Sequence, residues 1–176
     1  ETWLKANSSP GPQKVQDLLA AGRKALAATG DQRAAARTFA LAAARDPSSS
    51  DAWLALAGAL LATVPDPHTP SERYDLPTNA SGAAYLAYER ATSPAAKARA
   101  LAVLGEALKR RSFWRPAIEA LKTSLALAEN PQVREAYESL RSEHGFRLVD
   151  YTVEQDVAQP RVCLQFSESL PRGQDL

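Results

Sequence analysis

The chain has 176 residues and 45% apolar content, enough for one domain with its own core or one repeat array with part of a neighbour, which excludes disorder over most of its length. Lys and Arg number 21 against 20 Asp and Glu, so a formal net charge of +1 sets up no overall field for nucleic acid or an anionic membrane, and no nucleic-acid partner is expected. The longest uncharged apolar run, Ala52 to Val64, has 13 residues, too few to span a bilayer at roughly 1.5 Å per residue.

Residues 1–13, with Asn7-Ser8-Ser9-Pro10-Gly11-Pro12, are expected to be a flexible lead-in, because two prolines and a glycine do not continue a helix. From Lys14 to Ala28, Val15, Leu18, Leu19, Ala25 and Leu26 recur at helical spacing, and Gly30-Asp31 stops the run. A second helix is predicted over Gln32 to Arg45, ended by Asp46-Pro47. A third starts with Asp51 as N-cap and carries Trp53, Leu54, Leu56, Leu60 and Leu61 towards Pro65. The segment from Pro65 to Ala80 holds four prolines and Tyr74 and is expected to be a loop. A last helix, Pro131 to His144, turns Val133, Tyr137 and Leu140 inward and Arg134, Glu135, Glu138 and Arg141 outward, with Gly145 expected to end it in the left-handed conformation.

Alanine is the dominant residue, 35 of 176, and only Ala158 follows residue 145. Helix pairs rich in small residues call for a repeat check, and the tetratricopeptide pattern fits. One copy runs through Gly22, Ala25, Ala35, Phe39, Ala42 and Pro47. Another has Trp53, Leu56 and Ala57, then Ala84, Tyr88 and Ala91; a third has Leu104-Gly105, Leu108, Ala117, Leu121, Ser124 and Pro131. Gly22 to Ala35 is 13 residues and Gly105 to Ala117 is 12, but Ala57 to Ala84 is 27, so the middle copy carries an insertion at 64–80. The register resumes afterwards, since Ala35 to Ala57 is 22 residues and Ala84 to Gly105 is 21. The small residues let paired helices approach where a neighbouring large side chain needs room, and stacking of pairs then builds a continuous core. The expected architecture is mainly α: a tetratricopeptide-like α-α repeat solenoid of three helical pairs plus a capping helix at 14–145, with a short β tail at 146–176. In that tail, Phe146 to Val153 and Pro160 to Ser167 suit two strands, which need a further partner for stability.

Catalytic and nucleotide motifs are lacking, so the chain reads as no enzyme, and no cofactor is expected. Glu143-His144 and Asp150 could be drawn as an acid and base, though Glu143-His144 suits a solvated helix end. His68 and His144 lie far apart and Cys163 is alone, leaving no metal-ligand set and no disulfide framework. The face lined by the first helix of each pair is the candidate peptide groove. Its candidate binding residues are Arg23, Leu54, Arg99, Glu106, Lys109 and Arg110, with Leu19, Leu26, Gly58, Leu61 and Ala102 beside them. An apolar middle with basic ends would hold an acidic or carboxylate-ended segment. Lys109-Arg110-Arg111 better suits a solvated helix end, where the dipole favours cations. Phe113-Trp114 at the turn of the third pair reads either as a contact patch or as aromatics packed under a neighbour. Tetratricopeptide carboxylate clamps place Lys and Asn at set positions, where this sequence has Leu19, Arg23, Leu54, Gly58, Ala102 and Glu106.

Gly145-Phe146-Arg147, Asp150-Tyr151 and Pro160-Arg161-Val162-Cys163-x-x-Phe166-Ser167-Glu168-x-Leu170 resemble the start of the first β-sandwich domain of bacterial α2-macroglobulin family proteins. Ser71-Glu72-Arg73-Tyr74, Ala84 to Ala91, and the segment from Trp114-Arg115-Pro116-Ala117-Ile118 to Ser124-Leu125 resemble the helical region ahead of it. The resemblance implies a periplasmic or otherwise extracytoplasmic protein that entraps and inhibits peptidases, in a parent either with or without a membrane anchor. Its partners would be peptidases, met through the parent, and other domains of the parent chain. The bait region and the Gly-Cys-x-Glu-Gln thioester motif of that family are not in this sequence, and Cys163-Leu164-Gln165 is not assigned a covalent role. With Glu1 first and no Met, the chain is expected to be a piece of a larger protein, with any targeting signal removed or outside this segment.

Overall fold

The computed structural model describes residues 14–154 and 159–167. The expected lead-in at 1–13 and the last part of the β tail, 168–176, lie outside the described residues. Helices α1 (Val15–Thr29), α2 (Gln32–Arg45), α3 (Ser50–Ala62), α4 (Glu72–Arg90), α5 (Pro94–Arg110), α6 (Trp114–Leu127) and α7 (Pro131–His144) precede strands β1 (Leu148–Glu154) and β2 (Arg161–Phe166). Each helix packs on the next, and α3 also touches α1 and α5, the arrangement of stacked helical pairs α1/α2, α3/α4 and α5/α6 with α7 covering the end.

Local chemistry fixes where these helices start. Asp31 accepts the Ala34 N–H at 2.9 Å, Ser93 accepts the Ala96 N–H at 3.2 Å ahead of Pro94, and Asn130 accepts the N–H groups of Gln132 and Val133 ahead of Pro131. The α3 cap is Ser49, whose hydroxyl accepts the Ala52 N–H, and not Asp51 as expected. Asp51 instead lies in the first turn of the helix, where a carboxylate still meets the positive end of the dipole.

Glycine and alanine sit where the pairs touch. A Cβ on Gly22 would lie 2.4 Å from Phe39 Cε1, and one on Gly105 would lie 2.7 Å from Leu121 Cγ. The same site in the middle pair is Ala57, which is fully buried. Residues of α1 to α5 form one core around Leu19, Phe39, Trp53, Leu56 and Leu60, while Ala117, Leu121 and Leu140 form a smaller one under α7 with Trp114, Ile118, Val133 and Tyr137 around it. Val133, Tyr137 and Leu140 thus face inward as the spacing predicts, and Arg134, Glu135, Glu138 and Arg141 are exposed.

The insertion at 64–80 is not all loop. From Glu72 the chain is helical and runs without a break into α4, so that the added residues lengthen the second helix of the middle pair. Pro77 lies inside it, near the N-terminal end, at the cost of one backbone hydrogen bond, and its ring is buried with Ala80, Ser81, Ala83 and Ala84. What remains as loop is clipped to the first pair. Arg33 meets both carboxylate oxygens of Glu72 at 2.7 and 2.8 Å and donates to the Val64 carbonyl at 3.2 Å, while Glu72 also accepts the Asp66 N–H at 2.8 Å.

Gly145 ends α7 with φ −77° and ψ 160°, extended and not left-handed. Glycine is needed there for a different reason: a Cβ would lie 2.3 Å from the Arg141 carbonyl oxygen. Beyond it β1 and β2 pair antiparallel, with Tyr151 opposite Leu164, Val153 opposite Val162 and, across a bulge, Leu148 opposite Phe166. Those residues share one face and Thr152, Cys163, Glu154 and Arg161 the other, by strand alternation. The apolar face is bare, with Tyr151 62% and Val162 59% exposed.

Candidate functional site

An open groove of about 650 Å³ lies between α3, α5 and α7. Its floor comes from α5, where Ala95, Ala98, Arg99, Ala102 and Val103 follow one face, and its walls from Leu54 of α3 and Val133 of α7. Ser124 of α6 holds the floor in place by donating its buried hydroxyl to the Ala98 carbonyl at 2.7 Å. The turn from α6 to α7 closes one end with Ala128, Glu129 and Asn130, and Asn130 is committed through its carbonyl oxygen to capping α7.

Two of the six candidate residues, Leu54 and Arg99, line this groove. Glu106, Lys109 and Arg110 lie further along α5 in an ion cluster of their own, with Lys109 Nζ 2.7 Å and Arg110 Nε 3.2 Å from the Glu106 carboxylate. Arg110 also donates to the Leu61 carbonyl, and Arg111 donates to the Ser81 hydroxyl at 2.8 Å, so the basic run ties the third pair to the second. Arg23 is exposed on α1, whereas Leu19 and Leu61, expected at the groove, are buried in the core. The sequence reading missed Val133, Glu129 and Asn130, because a capping helix is normally read as a lid and not as a wall.

Charge at the rim is largely settled within the fold. Glu129 forms a two-pronged pair with Arg134, which holds its carboxyl below the ordinary carboxylate value, first through that hydrogen bond and then through the opposite charge, against some desolvation. Glu72 in the insertion clip is held lower still, at about 2, mainly by the Arg33 hydrogen bond and then by the Asp66 N–H.

A second, smaller cleft lies at the junction with the strands, lined by Trp114, Arg115, Glu143, His144, Arg147 and Ser167. His144 stacks on the Trp114 indole with ring centres 3.9 Å apart, and its Nε2 is 3.8 Å from the Glu143 carboxylate. Trp114 is thus half-buried in a stack, while Phe113 is 47% exposed under the Arg111 guanidinium. No group of three or more His, Cys, Asp or Glu that could hold a metal occurs among the described residues, and none of their helices is long and apolar enough to cross a membrane.

The stacked pairs, the glycine and alanine contacts and the covering helix define a tetratricopeptide-like helical repeat fold with a short two-stranded β segment. Among solved structures the chain is similar to the first tetratricopeptide repeat domain of Spaghetti (RPAP3), determined bound to the HSP90 peptide SRMEEVD, with a TM-score of 0.61, 17% identity, and coverage of 76% of this chain and 94% of that one. No protein-family model and no curated protein matches the sequence.

Proposed function

We propose that the chain is a non-catalytic protein-interaction module that holds a peptide segment of a partner, or of another domain of its own parent protein, in the groove between α3, α5 and α7. The observation that carries this reading is the groove itself: Leu54, Ala102, Val103 and Val133 present apolar surface from the second pair, the third pair and the covering helix. The structurally similar RPAP3 domain holds a peptide, which supports a peptide-binding use of this architecture. Selection of a random-peptide display library on the immobilised chain tests it, with an Ala102→Trp variant that fills the groove as the control. Peptides enriched on the unaltered chain should be lost from the variant at unchanged helicity. Enrichment that ignores the filled groove refutes this reading.

A second reading is favoured by the bare apolar face of β1 and β2, which suits strands that continue into a larger β layer. In it, the chain is the N-terminal helical part of a bacterial α2-macroglobulin with the first strands of the following domain, periplasmic or otherwise extracytoplasmic, in a parent that entraps and inhibits peptidases. Incubating peptidases with the parent, and with a version lacking residues 1–145, separates the two. Protection of activity on small substrates with loss on large ones supports trapping, and equal cleavage of both with the parent present refutes it.

A further inference from the structure

We infer that the segment bound in the groove is acidic as well as apolar, with an apolar side chain seated between Leu54, Ala102 and Val133 and a nearby Asp or Glu carboxylate on Arg99. This inference rests on the groove reading above and adds the chemistry of the partner. Arg99 is an exposed cation on an otherwise apolar floor. Among the described residues it has no ion pair or hydrogen-bond partner for its guanidinium.

The neighbouring cations differ. Lys109 and Arg110 are held by Glu106, Arg110 also by the Leu61 carbonyl, Arg111 by Ser81, and Arg134 by Glu129. Glu129 is the acid at the groove end, and its pairing with Arg134 offsets the charge that would otherwise repel an acidic ligand. The groove therefore offers one unclaimed positive charge beside apolar surface. A guanidinium there suits a carboxylate, since its planar fork donates two parallel charge-assisted hydrogen bonds.

The test uses three fluorescein-labelled peptides, read by fluorescence anisotropy: one alternating Leu or Phe with Glu, a second with Gln for Glu, and a third with Ser for Leu and Phe. The first should bind, the second about tenfold more weakly, and the third not measurably. Arg99→Glu should weaken the Glu peptide by at least that factor and leave the Gln peptide nearly unchanged, with far-UV circular dichroism confirming the helices. Equal affinity for the Glu and Gln peptides, or an Arg99→Glu variant that binds both as before, overturns the inference while the groove reading stands. Absence of binding by the Glu peptide at millimolar concentration also overturns it, and the display selection then decides the groove reading separately.

Discussion

Trp53 shows how much a single side chain can hold. It is buried against the core of the first two pairs, its indole N–H donates to the Pro47 carbonyl at 2.9 Å, and the Arg90 guanidinium lies 5.5 Å from its ring centre. Replacing it with alanine removes packing and leaves the carbonyl of the α2–α3 turn without that donor, so Trp53→Ala should lower unfolding stability by about 3 to 5 kcal/mol, measured by urea denaturation. At Gly105 the opposite error applies. Alanine would push a methyl group to 2.7 Å from Leu121, with the Ala117 carbonyl oxygen 3.3 Å behind it, so that α5 and α6 must part. Gly105→Ala should cost about 1 to 3 kcal/mol in the unaltered chain, and measurably less when introduced into a Leu121→Ala background and compared with that background's own stability, the coupling a double-mutant cycle reads.

Individual elements are set partly by their neighbours, and the insertion is the clearest case. Four prolines between 65 and 77 argue for loop, yet α4 begins at Glu72 because Arg33 of α2 anchors that residue and the ring of Pro77 is buried. Glu72 has its carboxyl lowered from 4.5 to about 2 in the folded chain. A carboxylate with a depressed folded value contributes stability that is complete above its unfolded value and is lost as pH falls through the folded one. The stability difference between the unaltered chain and Glu72→Gln should therefore stay constant above pH 4.5 and close as pH falls to about 2, followed by thermal melts across that range. The helix ends teach a related lesson, for Ser49 rather than Asp51 caps α3, a two-residue shift that residue type alone does not decide. Gly145 was legible as necessary, but its reason is a close approach to the Arg141 carbonyl and not a left-handed backbone.

For the molecule as a whole, stability should vary along the array, since pairs in a solenoid are held only by their neighbours. The large core ends near α5, and α6 with α7 share a smaller one of Ala117, Leu121 and Leu140. Amide protons of 114–144 should accordingly exchange faster than those of 32–62, which native-state hydrogen exchange would show. The strands pack chiefly on each other. Ending the chain after Gly145 should leave the helical melting temperature nearly unchanged, and a large drop would mean that the strands brace α7.

Periodicity and small-residue spacing in the sequence by themselves determined the three pairs, the covering helix and the small-residue positions, because helical amphipathicity and interhelical clearance are local in sequence. Gly22 lies 17 residues before Phe39 and Gly105 16 before Leu121, each within one helical pair, so the need for a small residue beside a large one is legible while the partner of each glycine is not. The candidate site was legible only in part: Leu54 and Arg99 were readable as groove residues, but Val133 and the pairing of Glu129 with Arg134 were not. Which charges remain unclaimed depends on carbonyls and side chains tens of residues away, as with Arg110 and Leu61 or Arg33 and Glu72. Only the tertiary structure decided that, since hydrogen bonds between repeats form where stacking brings distant segments together, a distance that linear spacing does not encode.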